Sequence, residues 1–342
     1  MSTFTWGEIT LPPMFYTLGN SFSEAFSISP NGQKIVGTFG DRARGNPALA
    51  GIFHGFLRIP DQISGIDLFG SYDYPDNPGG ATSARGINDA GDVVGFYRDE
   101  VRKKEIHGYL WRHTEGVPID FDHPFATFPI DLDVFHNAVL GINNLGLVVG
   151  RFHQAGDERD YGYVWGLGVP QVIDMGQFAD NVKDTQARGI NSNGDIVGSF
   201  TRARTLETET HGYKWRVDAD ERFRFVGDPT VVDVMISPQF SRTRELVELA
   251  RLNTTINGIN DRGWIVGQFE TVMPNGIVSQ HGFVWKPESD GTYSPSKHVT
   301  IDLVGAKDTV VNGIASDGTF VGYYIDGVNN TGRHAFVGHL IP

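Results

Sequence analysis

Short apolar runs separated by glycine recur along the chain in one fixed order. The clearest copy, Ala84–Tyr97 with the sequence ARGINDAGDVVGFY, returns as Ala187–Phe200 with the sequence ARGINSNGDIVGSF. Looser copies occupy residues 25–39, 139–152, 256–269 and 311–324. Each copy is followed by His-Gly-aromatic or a variant of it, and five are then followed by Ile-Asp or Val-Asp. Internal repeats of this kind indicate a repeat architecture.

The repeat predicts four short strands. Strand A ends in Gly-Ile-Asn and strand B reads Ile-Val-Gly-x-Tyr, with an Asn-x-x-Gly turn between them in which glycine takes the left-handed position. Strand C reads His-Gly-Phe-x-Trp and strand D carries Ile-Asp. The 342 residues divided among six copies leave 57 residues for each. We therefore predict an all-β fold, a six-bladed β-propeller of four-stranded antiparallel blades.

The whole chain, 1–342, is predicted to be one propeller domain. The predicted blades span about 25–69, 84–121, 139–175, 187–234, 256–303 and 311–338. The last repeat lacks a strand D, and Glu8–Pro12 aligns with Gly65–Phe69, so an N-terminal strand within 4–12 is expected to close the ring and leave no open edge. In the 237–255 insertion, the cap residue Ser241 and an apolar side reaching Leu252 predict one short helix, either a lid or packing material.

The combined motif, with the literal His334-Ala335-Phe336, resembles the His-Ala-Phe (HAF) repeat family of predicted extracellular β-propellers. The resemblance covers nearly the whole chain and implies the propeller fold and an extracellular location. It implies no particular chemistry, because the family is defined by its repeat.

The N-terminus and the hydropathy of the chain suggest a different compartment. No basic segment followed by an apolar segment begins the sequence, which predicts no secretory signal. No apolar run approaches the ~20 residues that span a bilayer. The sequence as written therefore predicts a soluble, cytoplasmic protein, and the compartment stays open between the two interpretations.

Charge and composition exclude several classes of partner. The formal net charge is −13, and no basic run is present, which argues against nucleic acid and against an anionic membrane. The chain has no cysteine, so thiolate catalysis and cysteine-bound metals are excluded. Gly-rich phosphate loops, nucleophile elbows and calcium loops are also missing, and we expect no cofactor. A small anion remains compatible, since a local pair of arginines can act within an acidic protein.

Loop lengths predict where a site would lie. The A–B turns are short and the C–D links mostly modest, whereas the B–C and D–A connections are long and emerge on one face of the disc. Binding sites gather on loops held by a rigid scaffold, so we assign function to the channel mouth on that face. The second residue of each strand A should line this mouth, at Phe26, Arg85, Leu140, Arg188, Asn257 and Asn312.

Arg85, Arg188, Asn257 and Asn312 are the candidate ligand-binding residues. A guanidinium offers a fork of donors to paired oxygens, so these residues could bind a carboxylate, a phosphate or sugar hydroxyls. In the alternative interpretation, both arginines pair with acidic loops and only hold them in place.

Histidines fall into two groups. His54, His107, His211, His281 and His334 recur at the start of strand C and are interpreted as structural, because five equivalent positions around a ring cannot serve one site. His123, His136 and His153 are irregular and lie in long-loop segments, and with Tyr72 they are the candidates for proton transfer. They could also bind a divalent metal, but zinc-type spacing is lacking, so we expect no metal site, and ordinary polar loop residues remain the alternative.

The function predicted from the sequence is that of a small-molecule or saccharide-processing enzyme, or of a ligand-binding propeller with a polar pocket at the channel mouth. The expected partner is a small-molecule or carbohydrate ligand, which could be anionic. The alternative is a protein–protein interaction scaffold that uses the same face. Whether the protein is an enzyme and which oligomer it forms stay open.

Overall fold

The computed structural model describes most of the repeated core. The described residues are 3–10, 22–40, 53–60, 62–66, 81–99, 105–113, 118–120, 134–154, 156–157, 159–166, 169–203, 208–218, 224–234, 253–272, 276, 278–294, 297–327 and 332–341.

The described residues form 24 strands, which fall into six consecutive units after the N-terminal strand β1 (Phe4–Glu8). Unit 1 contains β2 (Phe22–Ile28), β3 (Ile35–Gly40), β4 (Phe53–Ile59) and β5 (Gln62–Ile66). Unit 2 contains β6 (Thr82–Ile87), β7 (Val93–Asp99), β8 (Glu105–Trp111) and β9 (Pro118–Asp120). Unit 3 contains β10 (Val134–Ile142), β11 (Val148–Gln154), β12 (Asp160–Gly166) and β13 (Val169–Ile173).

The second half of the chain continues this pattern. Unit 4 contains β14 (Val182–Ile190), β15 (Asp195–Ala203), β16 (Thr208–Asp218) and β17 (Arg224–Val231). Unit 5 contains β18 (Thr254–Ile259), β19 (Ile265–Val272), β20 (Val278–Trp285) and β21 (Val299–Ile301). Unit 6 contains β22 (Ala306–Ile314), β23 (Thr319–Asp326) and β24 (Arg333–Leu340).

Strands within a unit pair antiparallel in sequence order, and the sheets stay open at their edges. Units 2 and 3 share one sheet through a single parallel pair, His136 with Ile106. Elsewhere in the described chain each unit is its own four-stranded sheet. The predicted all-β class is confirmed for the described residues, whose one helical turn is a 3-10 turn at Met175–Gln177. In that same part of the chain, no helix is long and apolar enough to cross a membrane.

The N-terminal strand completes the sheet of unit 6. β1 pairs antiparallel with β24, from Phe4 opposite Leu340 to Glu8 opposite Phe336. The strand therefore lies within the predicted segment 4–12 and ends at Glu8. The alignment of Glu8–Pro12 with Gly65–Phe69 is confirmed at its first two residues, because Glu8 lies opposite Phe336 as Gly65 lies opposite Phe56, and the backbone N–H of Ile9 donates to the carbonyl of Ala335, the counterpart of Gly55.

Glycine on strand B and the aromatic residue on strand C are needed together. A Cβ at Gly95 would lie 1.9 Å from the carbonyl oxygen of Ser83 and 2.8 Å from the Tyr109 hydroxyl. Tyr109 is fully buried, and its hydroxyl donates to the same carbonyl at 3.2 Å. Only glycine on strand B leaves space for the aromatic ring that crosses it from strand C. This close approach explains why the strand-B glycine and the strand-C aromatic residue occur together in the repeat.

Apolar packing joins consecutive units, including the last and the first. Among the described residues, six buried clusters form, one at each contact between neighbours: units 1–2 around Ala84 and Tyr109, 2–3 around Val139, 3–4 around Val164 and Tyr213, 4–5 around Ile256, 5–6 around Val311, and 6–1 around Ala25 and Phe56. The first strands approach one another closely, because a Cβ at Gly258 would lie 2.6 Å from the carbonyl oxygen of Asn312 in the next unit. The units thus contact each other in a circular order.

The lengths of the connections between strands follow the prediction with one exception. The A–B turns occupy 29–34, 88–92, 143–147, 191–194, 260–264 and 315–318, and all are described. Long D–A connections occupy 9–21, 67–81, 121–133 and 232–253, and a long B–C connection occupies 41–52. The C–D connection 286–298 is also long. The prediction that long connections emerge on one face alone was therefore wrong in unit 5.

Two other boundaries differ from the predictions. Every strand A begins upstream of its predicted start, as in β14, which begins at Val182 instead of 187. The predicted helix of the 237–255 insertion falls largely on residues 235–252, outside the described residues, and Thr254 and Thr255 already belong to β18.

Candidate ligand site in the channel

A register irregularity in every strand A sets the lining of the channel. Two residues before the end of strand A, the ladder between strands A and B skips one residue in every unit, and these six skipped residues are Phe26, Arg85, Leu140, Arg188, Asn257 and Asn312. Units 3, 4 and 6 have a second irregularity nearer the start of strand A. A residue that is left out of the ladder in this way is re-aimed by the local bend of the strand. These are the six positions that the sequence placed at the channel mouth.

The six residues lie between two cavities and line both of them. The outer cavity has a volume of about 230 Å³, and its wall also includes Glu24, Thr255, Gln268, Val310, Tyr323 and Arg333. The inner cavity has a volume of about 60 Å³ and continues along the first strands towards the A–B turns, past Asn143 and Asn260. The outer cavity is the larger and more polar space, so it is the candidate ligand site.

Arg85 lies flat against an aromatic ring and has no polar partner among the described residues. Its Cζ is 3.6 Å from the centroid of the Phe26 ring and 5.0 Å from that of Phe96. Its buried Nε has no hydrogen-bond partner, and no ion pair involves Arg85 within the described part of the chain. Burial lowers the pKa of Arg85 to about 10, and the charges of Arg188 and Arg151 act in the same direction while Glu24 opposes them. The group is still a cation at neutral pH.

Arg188 is held by two neutral side chains within the described residues. Its Nη2 donates to Oε1 of Gln186 at 2.8 Å, and its Nε donates to Oγ of Ser199 at 3.4 Å. Burial lowers the pKa of Arg188 to about 10, with a further lowering from Arg151. The alternative interpretation, in which both channel arginines pair with acidic groups, gains no support from the described contacts.

Other arginines near the channel are neutralised. Arg151 pairs with Asp160, and Arg333 pairs with Glu24, which is a buried carboxylate. Away from the channel, Arg202 lies 3.3 Å from a carboxylate oxygen of Glu209. Arg85 and Arg188 are therefore two enclosed cations without a carboxylate partner among the described residues, in a chain whose net charge is −13.

Asn257 and Asn312 have a structural role in addition to their place on the cavity wall. The amide of Asn257 donates to the carbonyl of Val311 at 3.0 Å, and that of Asn312 donates to the carbonyl of Ala25 at 2.9 Å. Each bond reaches the next unit, and the second joins unit 6 to unit 1. These amides thus hold neighbouring first strands together.

Of the residues predicted to transfer protons, the structure brings two together. His136 and His153 are cross-strand neighbours on β10 and β11, and their ring centroids are 6.4 Å apart. Nδ1 of His136 accepts from the backbone N–H of Ile106 at 3.2 Å, and Nδ1 of His153 lies 3.3 Å from Oδ1 of Asp160. Neither histidine lines the two cavities.

The sequence predicts two further proton-transfer candidates and no metal site. His123 and Tyr72 lie outside the described residues. Among the residues that are described, no group of three or more His, Asp or Glu side chains could hold a metal ion. The structure therefore leaves the two described histidines as a pair beside the channel, not in it.

The repeated histidines have the structural contacts expected of them. His211 stacks on Phe200 with centroids 5.2 Å apart, and its Nδ1 lies 2.8 Å from Oδ2 of Asp233, which follows the end of β17. His334 similarly stacks on Tyr324 and bonds Glu8, so β1 supplies the acid of unit 6. The hydrogen bond to Asp233 raises the pKa of His211.

Sequence reasoning missed the strand-B residues of the site. The residue after the strand-B glycine is paired across from strand A near the skipped position, and it differs in every unit: Thr38, Phe96, Arg151, Ser199, Gln268 and Tyr323. Of these, Gln268 and Tyr323 line the outer cavity, Phe96 contacts Arg85, and Ser199 bonds Arg188. Variation at one position of an otherwise regular motif was the available signal.

Comparison with known proteins identifies no family. No protein-family model matches the chain, and no curated protein matches it. Among solved structures, the polysaccharide lyase Uly1 is 10% identical with a TM-score of 0.45, covering 93% of this chain and 77% of its own. A PL25 ulvan lyase bound to -[GlcA(1-4)Rha3S]- is 12% identical with a TM-score of 0.45, covering 89% and 76%. Arabinanase Arb43A of Bacillus subtilis is 9% identical with a TM-score of 0.36, covering 73% and 90%. Similarity this weak carries no argument about what this chain binds.

Proposed function

We propose that the protein binds a small anionic molecule in the outer channel cavity. The observation that carries this proposal is the pair of enclosed arginines, Arg85 and Arg188, which have no carboxylate partner among the described residues. An enclosed charge that is not compensated costs free energy of folding, and residues held at such a cost mark functional sites. An anion in the cavity would supply the missing compensation.

The ligand is proposed to be a hydroxyl-bearing anion such as a sugar acid. The cavity wall adds the amide of Gln268 and the hydroxyls of Thr255 and Tyr323 to the two arginines. Amides and hydroxyls donate to and accept from sugar hydroxyls. If the protein is also an enzyme, His136 and His153 are the described groups that could move a proton, close to the channel through Asp160 and Arg151. The scaffold alternative gives the two arginines no partner, so we do not favour it.

The proposal includes the propeller itself. We propose that the six units are the blades of one ring, with β1 as the closing strand. The circular order of the six core clusters and the bond from Asn312 to Ala25 support this arrangement. Membership of the HAF repeat family is proposed on the motif His334-Ala335-Phe336, whose Ala335 and Phe336 are fully buried on β24, the strand that pairs with β1. An extracellular location, as in that family, remains part of this proposal.

A thermal-shift titration tests anion binding. Sulfate, phosphate, acetate and glucuronate would be titrated at constant ionic strength against the wild type and against Arg85→Ala/Arg188→Ala. A ligand that binds only the folded state stabilises it by about 2.7 kcal/mol at a hundredfold excess over Kd. We expect at least one anion to raise the Tm of the wild type, and no anion to raise that of the double variant.

Arg262→Ala is the matched control, because Arg262 is an exposed arginine on an A–B turn. It should respond to anions as the wild type does. An equal shift in the double variant, or no shift with any anion in the wild type, would overturn the proposal.

A further inference from the structure

The orientation of Arg85 restricts the kind of anion that can satisfy it. At a distance of 3.6 Å between Cζ and the ring centroid, the guanidinium must lie parallel to the Phe26 ring. If the planar group stood on edge, one nitrogen would be nearer to the ring than Cζ by about 1.3 Å, or two nitrogens by about 0.7 Å each, and both arrangements are closer than van der Waals contact allows. One face of the guanidinium is therefore covered by carbon, and all of its N–H donors point outward in its own plane.

Those in-plane donors are unused within the described structure. Arg85 makes contacts with Phe26 and Phe96 and has no hydrogen bond, and its Nε is buried without a partner. By contrast, Arg188 already uses Nε and Nη2 on Ser199 and Gln186. Arg85 is thus the arginine that offers a free fork of parallel donors, and Arg188 adds a second positive charge beside it.

The aromatic surroundings distinguish between planar and tetrahedral anions. A carboxylate is planar and can accept two parallel N–H bonds while it stays in the plane of the guanidinium. A sulfate or a phosphate must place oxygens above and below that plane. The face of an aromatic ring carries negative charge density, so an oxygen directed at Phe26 or Phe96 is repelled.

We propose that the anion bound by the channel is a carboxylate, held edge-on by the guanidinium fork of Arg85 over Phe26. This inference rests on the proposed function and specifies its ligand class: a small organic acid with a free carboxylate, and not a phosphate or sulfate ester. Arg188 contributes charge and orientation, not the fork.

Isothermal titration calorimetry at fixed ionic strength tests the proposal with acetate, glycolate and D-glucuronate against sulfate and inorganic phosphate. The wild type should bind at least one carboxylate about tenfold or more tighter than either tetrahedral anion, since one charge-assisted bond alone is worth about tenfold to a hundredfold. Arg85→Lys keeps the positive charge and removes the fork. It should lose that preference, with a change of less than about threefold for sulfate.

The outcomes distinguish the carboxylate assignment from anion binding itself. If sulfate or phosphate binds as tightly as the carboxylates, or if Arg85→Lys keeps the carboxylate preference, the carboxylate assignment is wrong while anion binding stands. If none of the five anions binds the folded wild type, both are wrong. The far-ultraviolet circular dichroism and Tm of Arg85→Lys establish that the variant is folded, and Arg262→Lys serves as the control for loss of a guanidinium elsewhere.

Discussion

The two ends of the channel are built by the same six first strands, yet their side chains follow opposite rules. At the turn end, the residue that follows strand A is a buried asparagine in four units: Asn88, Asn143, Asn191 and Asn260. Each donates from its side-chain amide to a backbone carbonyl of the next unit, at 2.9–3.4 Å. At the cavity end, the skipped positions hold Phe, Arg, Leu, Arg, Asn and Asn.

This contrast distinguishes the residues that the repeat keeps the same in most units from the positions at which the side chain varies. The asparagine oxygens accept from the backbone of their own turns while the amides reach across, so one residue type closes both the turn and the interface. The skipped residues project from a backbone that is already fixed by these bonds and by the glycine approaches. Apart from Asn257 and Asn312, whose amides also bond the next unit, their identity can therefore vary without loss of the fold. Two of the others, Arg85 and Arg188, are cations that the described residues do not neutralise.

The largest effect should come from the turn end. Asn191 is buried, donates to the carbonyl of Asn260 at 3.0 Å and accepts from the N–H groups of Asn193 and Asp195 at 3.0 and 2.9 Å. Asn191→Ala leaves the N–H groups of Asn193 and Asp195 without these acceptors and removes one of the two donors to the carbonyl of Asn260, which keeps the N–H of Gly263. Each unsatisfied buried group costs about 1–3 kcal/mol. We expect the free energy of unfolding in urea to fall by about 3 kcal/mol.

Asn193→Ala is the control for this variant, because Asn193 is exposed and donates to the carbonyl of Asp261 at the surface. Its effect should stay below about 1 kcal/mol. Anion-dependent stabilisation should be unchanged in both variants. A cost for Asn191→Ala no larger than that of Asn193→Ala would show that the asparagines do not hold the units together.

The repeat made the turn end predictable, and it located the cavity end without revealing its partners. Arg85 and Arg188 could be placed because they occupy equivalent positions of nearly identical segments, which fixes them on the same channel. The stacking of Arg85 on Phe26 joins unit 2 to unit 1, and nothing in the sequence indicates that these two residues are in contact. The pair of Arg333 with Glu24 joins the two ends of the chain in the same way. The first contact depends on the bend at the skipped residues and the second on the packing of unit 6 against unit 1, and neither contact is encoded in any one repeat.

The next effect concerns the cavity end and has the opposite sign. Replacing an enclosed, unpaired cation by an apolar side chain of similar length removes a desolvation cost, while the ring contacts remain available to the new side chain. We expect Arg85→Met to raise the free energy of unfolding of the unliganded protein by about 1 kcal/mol, and to abolish its response to anions.

Urea unfolding at neutral pH measures this change, with Arg262→Met as the exposed control, for which a change within about 0.5 kcal/mol is expected. A stability loss of more than about 1 kcal/mol for Arg85→Met would mean that the arginine is a structural element of the channel. In that case the two ends would not differ in the way described above.

The smallest effect is a pH dependence at a repeated position, His211. The hydrogen bond to Asp233 raises the pKa of His211 above its ordinary value, although burial and Arg202 oppose this, and Glu209 adds a second acceptor at 3.4 Å. A raised pKa in the folded state means that the stabilisation is fully present below the unfolded pKa of about 6.5 and is lost as the pH rises through the folded value. The difference in unfolding free energy between the wild type and His211→Gln should therefore shrink with rising pH across this window, by about 0.5 kcal/mol for one partly exposed pair. In an Asp233→Asn background the same difference should be nearly flat with pH. If it retains its slope there, the charge of His211 is not set by Asp233. The repeated histidine would then be a titrating group in its own right and not part of the scaffold.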